Sequence, residues 1–137
     1  MAKILLIDDD EQVLKIMISF LERAGHDITV AKNGLQGIRY LESQQFDLII
    51  TDIIMPEQDG FGVLMKLSRM AKRPKVIAIS GGSASIDQDY ILLACKSFSV
   101  DRFLPKPVAF ETLTSAVREV LESGVKDVTK LGHKGNS

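Results

Sequence analysis

The sequence lacks several features that mark secreted, membrane-spanning or nucleic-acid-binding proteins. Its 137 residues include a single cysteine, Cys95, so no disulfide can form within the chain. No apolar run approaches the ~20 residues of a transmembrane helix, and the N-terminal run is too short for a secretory signal. The formal net charge is −1, so no overall positive field attracts nucleic acid or an anionic lipid surface. We therefore expect a cytoplasmic protein that binds neither nucleic acid nor a membrane directly.

Two hydrophobic periodicities alternate along the chain. Three runs are apolar at successive positions, over residues 4–7, 48–50 and 76–79, which predicts strands buried on both faces. Two weaker segments, 27–31 and 102–104, predict edge strands. Helical spacing predicts helices over 13–21, 35–41, 63–70, 86–98 and 113–121, the fourth having the weakest pattern. This alternation predicts a doubly wound α/β domain, a parallel five-stranded sheet with helices on both faces.

The periodic pattern stops at Gly124 and gives way to a polar segment. We therefore predict one domain over residues 1–123 and a flexible polar C-terminal tail over residues 124–137. No second domain is expected within the 137 residues. We expect either a protein that acts by docking to a partner or the front part of a longer protein.

Polar residues follow four of the predicted strands, at the edge where open α/β sheets bind ligands. In chain order they are Asp8, Asp9 and Asp10, then Asp52, then Ser80, then Lys106. If the first and third strands are neighbours, their ends lie about 4.8 Å apart and Asp8, Asp9 and Asp52 crowd one place. Carboxylates that close repel one another unless a cation offsets their charge. An oxygen-rich group of this kind suits Mg²⁺.

Each of these residues also has a plain structural interpretation. Asp10 directly precedes the first predicted helix, where a side-chain oxygen caps the backbone N–H groups. Ser80 taken alone is typical of a turn, and Lys106 taken alone is typical of a solvated surface charge. Their joint placement at the ends of four strands favours a functional site.

The ordered motifs resemble those of a response-regulator receiver domain, the phosphoacceptor part of two-component signalling. They are Asp8-Asp9, then Asp52-Ile53-Ile54-Met55-Pro56 with Gly60, then Ser80-Gly81, then Lys106-Pro107. The resemblance extends from about residue 3 to residue 122. It implies the flavodoxin-like strand order 2-1-3-4-5.

The resemblance also implies a role for each matching residue. Asp52 would be the phosphoacceptor, and Asp8, Asp9, Asp52 and the backbone carbonyl of Ile54 would hold Mg²⁺ or Mn²⁺. Ser80 and Lys106 would bind the phosphoryl group, Phe103 would be the switch aromatic, and the Lys106–Pro107 bond would be cis. The implied phosphodonor is a sensor histidine kinase or a phosphotransfer protein, and the downstream partner is an unknown protein. Such a domain modifies itself and is not an enzyme acting on an outside substrate.

Three positions carry further expectations. Ile54 is bulky and apolar where the family tunes hydrolysis of the phosphoryl group, so we expect it to hinder water and lengthen the phosphorylated lifetime. An unchanged dephosphorylation rate in Ile54→Asn would exclude this hypothesis. Gly60 is expected to need a positive backbone angle. Ser99 stands where the family usually has glycine, close to the usual output face.

A homodimer through the fourth helix, fifth strand and fifth helix is compatible with the sequence, which does not require it.

Three other classes compete with this interpretation. A haloacid-dehalogenase-type phosphatase needs a second aspartate two positions after the nucleophile, where this chain has Ile54. A flavodoxin-like FMN carrier needs a phosphate-binding loop after the first strand, where Asp8 and Asp9 would repel phosphate. A degenerate receiver that acts only as a binding module would be expected to lack some phosphorylation residues, all of which are present here.

Overall fold

Five strands and five helices alternate along the chain in the computed structural model, which describes residues 1–53, 59–81 and 88–123. In chain order they are β1 (Lys3–Ile7), α1 (Glu11–Arg23), β2 (Asp27–Ala31), α2 (Gly34–Ser43), β3 (Leu48–Asp52), α3 (Asp59–Ser68), β4 (Lys75–Ser80), α4 (Gln88–Ser97), β5 (Arg102–Pro105) and α5 (Phe110–Glu122). Each predicted strand and helix is present. Over the described ranges, no helix combines the length and the apolar character needed to cross a bilayer.

All strand pairs are parallel, and the sheet order is β2-β1-β3-β4-β5. The two segments predicted as edge strands, β2 and β5, are the edges. β1 and β3 are neighbours, with Ile7 opposite Thr51. The predicted fold class and strand order are therefore confirmed, whereas the predicted tail, 124–137, lies outside the described residues.

The sheet separates two hydrophobic layers because side chains of a strand alternate between its faces. Ile4 and Leu6 point into a cluster with α1 and α5, and Leu5 and Ile7 point into a cluster with α2 and α3. All four side chains are buried. A smaller cluster joins α4 to the sheet and includes Cys95, which packs there as a small hydrophobic residue. Burial on both faces explains why the central strands are apolar at successive positions.

Helix α1 is fixed at both ends by the residues that flank it. The Asp10 carboxylate accepts hydrogen bonds from the backbone N–H groups of Gln12 (3.0 Å) and Val13 (3.3 Å), which confirms its interpretation as an N-cap. Gly25 follows the helix with a φ of 92°, a conformation that glycine adopts without steric strain. The short connection from β1 to α1 therefore holds Asp8 and Asp9 at the carboxyl edge of the sheet.

Candidate functional site

Three carboxylates meet at the carboxyl ends of the two central strands. Asp52 is the last residue of β3, and Asp8 and Asp9 directly follow β1. Because β1 and β3 are paired in register, one oxygen from each of the three side chains lies within 4.8 Å of the others. Asp8 and Asp52 are buried and Asp9 is exposed, so the cluster opens to solvent on one side. The predicted crowding of these residues is confirmed.

Lys106 provides the positive charge of this cluster. It follows β5, and its Nζ atom lies 2.9 Å from Oδ2 of Asp8 and 2.9 Å from Oδ2 of Asp52. The contact with Asp52 has hydrogen-bond geometry, whereas the contact with Asp8 is an ion pair without that alignment. The Lys106 side chain is 17% exposed, so it is not the solvated surface charge that it resembles when taken alone.

The protonation of Lys106 follows from two opposing effects. Burial on its own lowers the pKa of the ammonium group, but the Asp52 and Asp8 carboxylates outweigh burial and raise the pKa above the usual lysine value. Lys106 therefore remains positively charged at neutral pH. Its charge offsets part of the repulsion among the three carboxylates.

The residues present fit a divalent cation. Oδ1 of Asp8 accepts a hydrogen bond from the backbone N–H of Asp10 (2.9 Å). Buried Oδ2 forms the ion pair with Lys106 but accepts no aligned hydrogen bond among the residues that the structure describes. All the grouped ligand atoms of Asp8, Asp9 and Asp52 are carboxylate oxygens. Hard cations such as Mg²⁺ and Mn²⁺ prefer this kind of ligand. The expected fourth ligand, the carbonyl of Ile54, lies outside the described residues.

Ser80 and Phe103 lie beside this cluster on β4 and β5. Ser80 is fully buried at the end of β4, and its carbonyl accepts a hydrogen bond from the Lys106 N–H (2.8 Å). Phe103 is partly buried, pairs with Ala78 across the sheet and packs against the cluster that contains Ile53. The Lys106–Pro107 bond is cis, as expected. The fold thus brings the described predicted site residues to one edge of the sheet.

Gly60 approaches the site more closely than the sequence indicates. A Cβ atom on this buried residue would lie 2.4 Å from the carbonyl oxygen of Ile53 and 2.6 Å from that of Asp52. Its φ is not positive, so the expected backbone angle is wrong and the physical reason for glycine is different. Glycine is needed because α3 begins against the backbone that carries Asp52.

Thr51 is a site neighbour that lies outside the motifs named from the sequence. Its buried hydroxyl donates a hydrogen bond to the Asp52 carbonyl at 3.0 Å. The signal that could have revealed it is a polar residue at the end of an otherwise apolar strand. The contact ties the side chain of Thr51 to the backbone of Asp52, directly beside the clustered carboxylates.

Comparisons with known proteins agree with this geometry. Residues 4–118 match the family model of the response regulator receiver domain. The chain is 31% identical over 129 residues to the transcriptional regulatory protein AfsQ1 of Streptomyces coelicolor and 31% identical over 121 residues to CpxR of Escherichia coli. These alignments cover 94% and 88% of this chain but only 55% and 50% of the two relatives, so the chain spans about half of their length.

A solved structure shows the same similarity in three dimensions. The response regulator receiver domain protein from Clostridium thermocellum superposes with a TM-score of 0.77 at 30% identity. The match covers 88% of this chain and 94% of that one. With the family match over residues 4–118, it establishes that this chain belongs to the response regulator receiver domain family, the phosphoacceptor domain of two-component signalling.

Proposed function

We propose that Asp52 is the phosphoacceptor of this domain and that its phosphorylation switches the binding of a downstream protein. The proposal depends above all on the Lys106 ammonium, which lies 2.9 Å from both buried carboxylates, Asp8 and Asp52. That arrangement supports the proposal because the Asp52 carboxylate and its charge partner share one site at the carboxyl edge of the sheet. The proposed phosphodonor is the phosphohistidine of a sensor kinase or a phosphotransfer protein.

The reaction needs a positioned nucleophile and little other covalent work from the protein. An Asp52 carboxylate oxygen attacks the phosphorus, and the new P–O bond forms as the P–N bond to the donor histidine breaks. The electron pair of the broken bond returns to the imidazole nitrogen. The product is an acyl phosphate on Asp52, so the domain modifies itself and is not an enzyme with an outside substrate.

Ser80 and Lys106 give the two states of Asp52 different contacts. The acyl phosphate adds close to two negative charges and three acceptor oxygens. Lys106 binds carboxylates before phosphorylation and a phosphoryl oxygen afterwards, and the Ser80 hydroxyl donates a hydrogen bond to another oxygen. Differential contacts of this kind are what a population shift requires. Phe103, packed beside Ile53, is the aromatic whose burial follows the shift.

Asp8, Asp9 and Asp52 are the residues that would hold Mg²⁺ or Mn²⁺, together with the Ile54 carbonyl that the family resemblance implies. When bound, a divalent cation offsets the charge that spreads over the phosphoryl oxygens during transfer. Asp8 and Asp52 keep their oxygens oriented through the backbone N–H of Asp10 and through Lys106. We infer a cytoplasmic location as well, which the lone cysteine supports.

Intact-mass measurement after incubation with acetyl phosphate and Mg²⁺ tests this proposal. We expect one phosphoryl group on the wild type and none on Asp52→Asn. Asp10→Asn is the matched control, because asparagine also caps a helix and the change removes a neighbouring carboxylate outside the site. Absence of the adduct in the wild type, or its persistence in Asp52→Asn, would show that the domain acts only as a binding module or is modified elsewhere.

A further inference from the structure

A stretch of the chain at the end of the domain opposite the phosphoacceptor carries an excess of positive charge. The sequence contains no Asp or Glu from residue 60 to residue 86 but has five basic residues between 66 and 75, although the whole chain has a net charge of −1. A groove of about 880 Å³, here called the basal groove, runs between residues 41–46 and residues 66–74. Among the residues that the structure describes, Glu42 is the one acidic residue that lines it. The charge and the groove therefore coincide.

Two of the lining cations have no acidic partner. Lys66 is paired with Glu42 at 3.2 Å. Arg73 lies 3.9 Å from Asp101 and donates hydrogen bonds to the carbonyls of Phe98 and Ser99 at the end of α4. Arg69 and Lys72 are exposed, and neither lies within 4.0 Å of a carboxylate in the described part of the chain. Lys66 in the last turn of α3 and Arg69 directly after it are favoured by the helix dipole. Lys72 lies four residues beyond the end of the helix, where the dipole does not explain it.

The floor of the groove is apolar between its charged edges. Leu41 and Phe46 from the α2 side are buried beneath it, and Met70 lies partly exposed beyond α3. A ligand that fills the groove therefore benefits from carboxylates at the edge and an apolar side chain against the floor. Nucleic acid would need a longer track of unpaired cations. A flat membrane surface would not enter a concave groove.

We propose that the basal groove is a docking site for an acidic segment of a partner protein that also carries apolar side chains. The groove lies at the amino ends of β3 and β4, and Asp52 and Ser80 lie at their carboxyl ends. A strand of this length separates the two sites by about 16 Å. Docking in the groove leaves the carboxyl edge of the sheet uncovered, so the segment tethers the domain to its partner in both phosphorylation states. The proposal does not depend on Asp52 being the phosphoacceptor.

Fluorescence anisotropy with a labelled peptide in which Glu alternates with Leu tests the charge requirement. We expect the double variant Arg69→Glu/Lys72→Glu to bind the peptide on the order of tenfold more weakly than the wild type, because it reverses both unpaired cations. Lys15→Glu/Arg118→Glu is the matched control, since it changes the net charge equally at exposed positions on α1 and α5. The control and Asp52→Asn should bind as the wild type does, and added salt should weaken binding.

Amide chemical-shift mapping with the same peptide locates the contact independently of affinity. We expect the shifts to concentrate at residues 41–46 and 66–74. Equal loss of binding in the control variant, shifts centred elsewhere, or no binding near 1 mM peptide would overturn the proposal. Tighter binding of a DNA duplex or of phosphatidylserine vesicles would assign the groove to another occupant and overturn it too, as would a dimer that the charge reversal dissociates.

Discussion

Replacing Lys106 with methionine tests whether the charge balance at the site stabilises the fold. Methionine keeps most of the side-chain volume but removes the ammonium group that lies 2.9 Å from Asp8 and from Asp52. Asp8 is 1% and Asp52 is 4% exposed, so two buried carboxylates lose their positive partner. Removing one member of a buried ion pair costs roughly 3–5 kcal/mol. Because Lys106 itself is 17% exposed, water reaches the site and we expect the lower end, about 3 kcal/mol.

Urea unfolding in the presence of EDTA measures this loss without a divalent cation to replace the missing charge. A loss of about 3 kcal/mol lowers the midpoint by about 1.5 M if the slope is about 2 kcal/mol per molar. The double variant Lys106→Met/Asp52→Asn should recover at least ~1 kcal/mol, because one of the two stranded carboxylates is gone.

Lys32→Met is the control for the substitution itself. Lys32 lies 3.6 Å from Glu11, but the side chains are 62% and 75% exposed. An exposed pair of this kind contributes roughly 0–1 kcal/mol, so the control should unfold close to the wild type. If Lys106→Met also unfolds within about 0.5 kcal/mol of the wild type, Lys106 does not stabilise the buried carboxylates and the reasoning is refuted.

Two further predictions concern the backbone behind the site and the amino-terminal edge of the sheet. Gly60→Ala should lower the free energy of unfolding in urea by roughly 1–3 kcal/mol and slow phosphorylation, because its Cβ would lie 2.4 Å from the Ile53 carbonyl oxygen. The control Gly62→Ala should not lower it, because Gly62 is exposed and has open space around its Cβ. His26 Nδ1 accepts the Ala2 N–H at 3.1 Å, and burial, with the amino terminus, lowers the pKa of His26. As the pH falls, His26 therefore binds a proton in the unfolded chain at a higher pH than in the folded protein. The free energy of unfolding should decrease as the pH drops below about 6.5, and His26→Asn should reduce that dependence.

The sequence predicted the architecture because its signals are local. Strands buried on both faces are apolar at successive positions, and helices repeat their apolar residues every three or four positions. The same locality placed Asp8, Asp52, Ser80 and Lys106 at strand ends. Asp10 was correctly interpreted as an N-cap because capping depends on the residues that directly follow it.

The interpretation of Gly60 was wrong because the deciding contact, with the backbone of Ile53 and Asp52, lies beyond the few residues over which turn and capping patterns act. A positive φ and a close backbone approach both require glycine, and the sequence does not distinguish them. Lys106 was ambiguous for a related reason. Whether a lysine is solvated or sits between two carboxylates depends on residues about 50 and 100 positions away in the chain.

Element types, their order and the set of polar residues at the strand ends were therefore determined by the sequence alone. The tertiary structure decided which of those residues lie together, namely the carboxylate cluster within 4.8 Å and the double ion pair of Lys106. It also decided the close approach of Gly60 to the Asp52 backbone. It also assembled the basal groove from two segments that are separated in the chain by β3 and most of α3. The physical reason is that periodicity and capping act over a few residues, whereas distances between side chains follow from strand register and from how helices pack on the sheet.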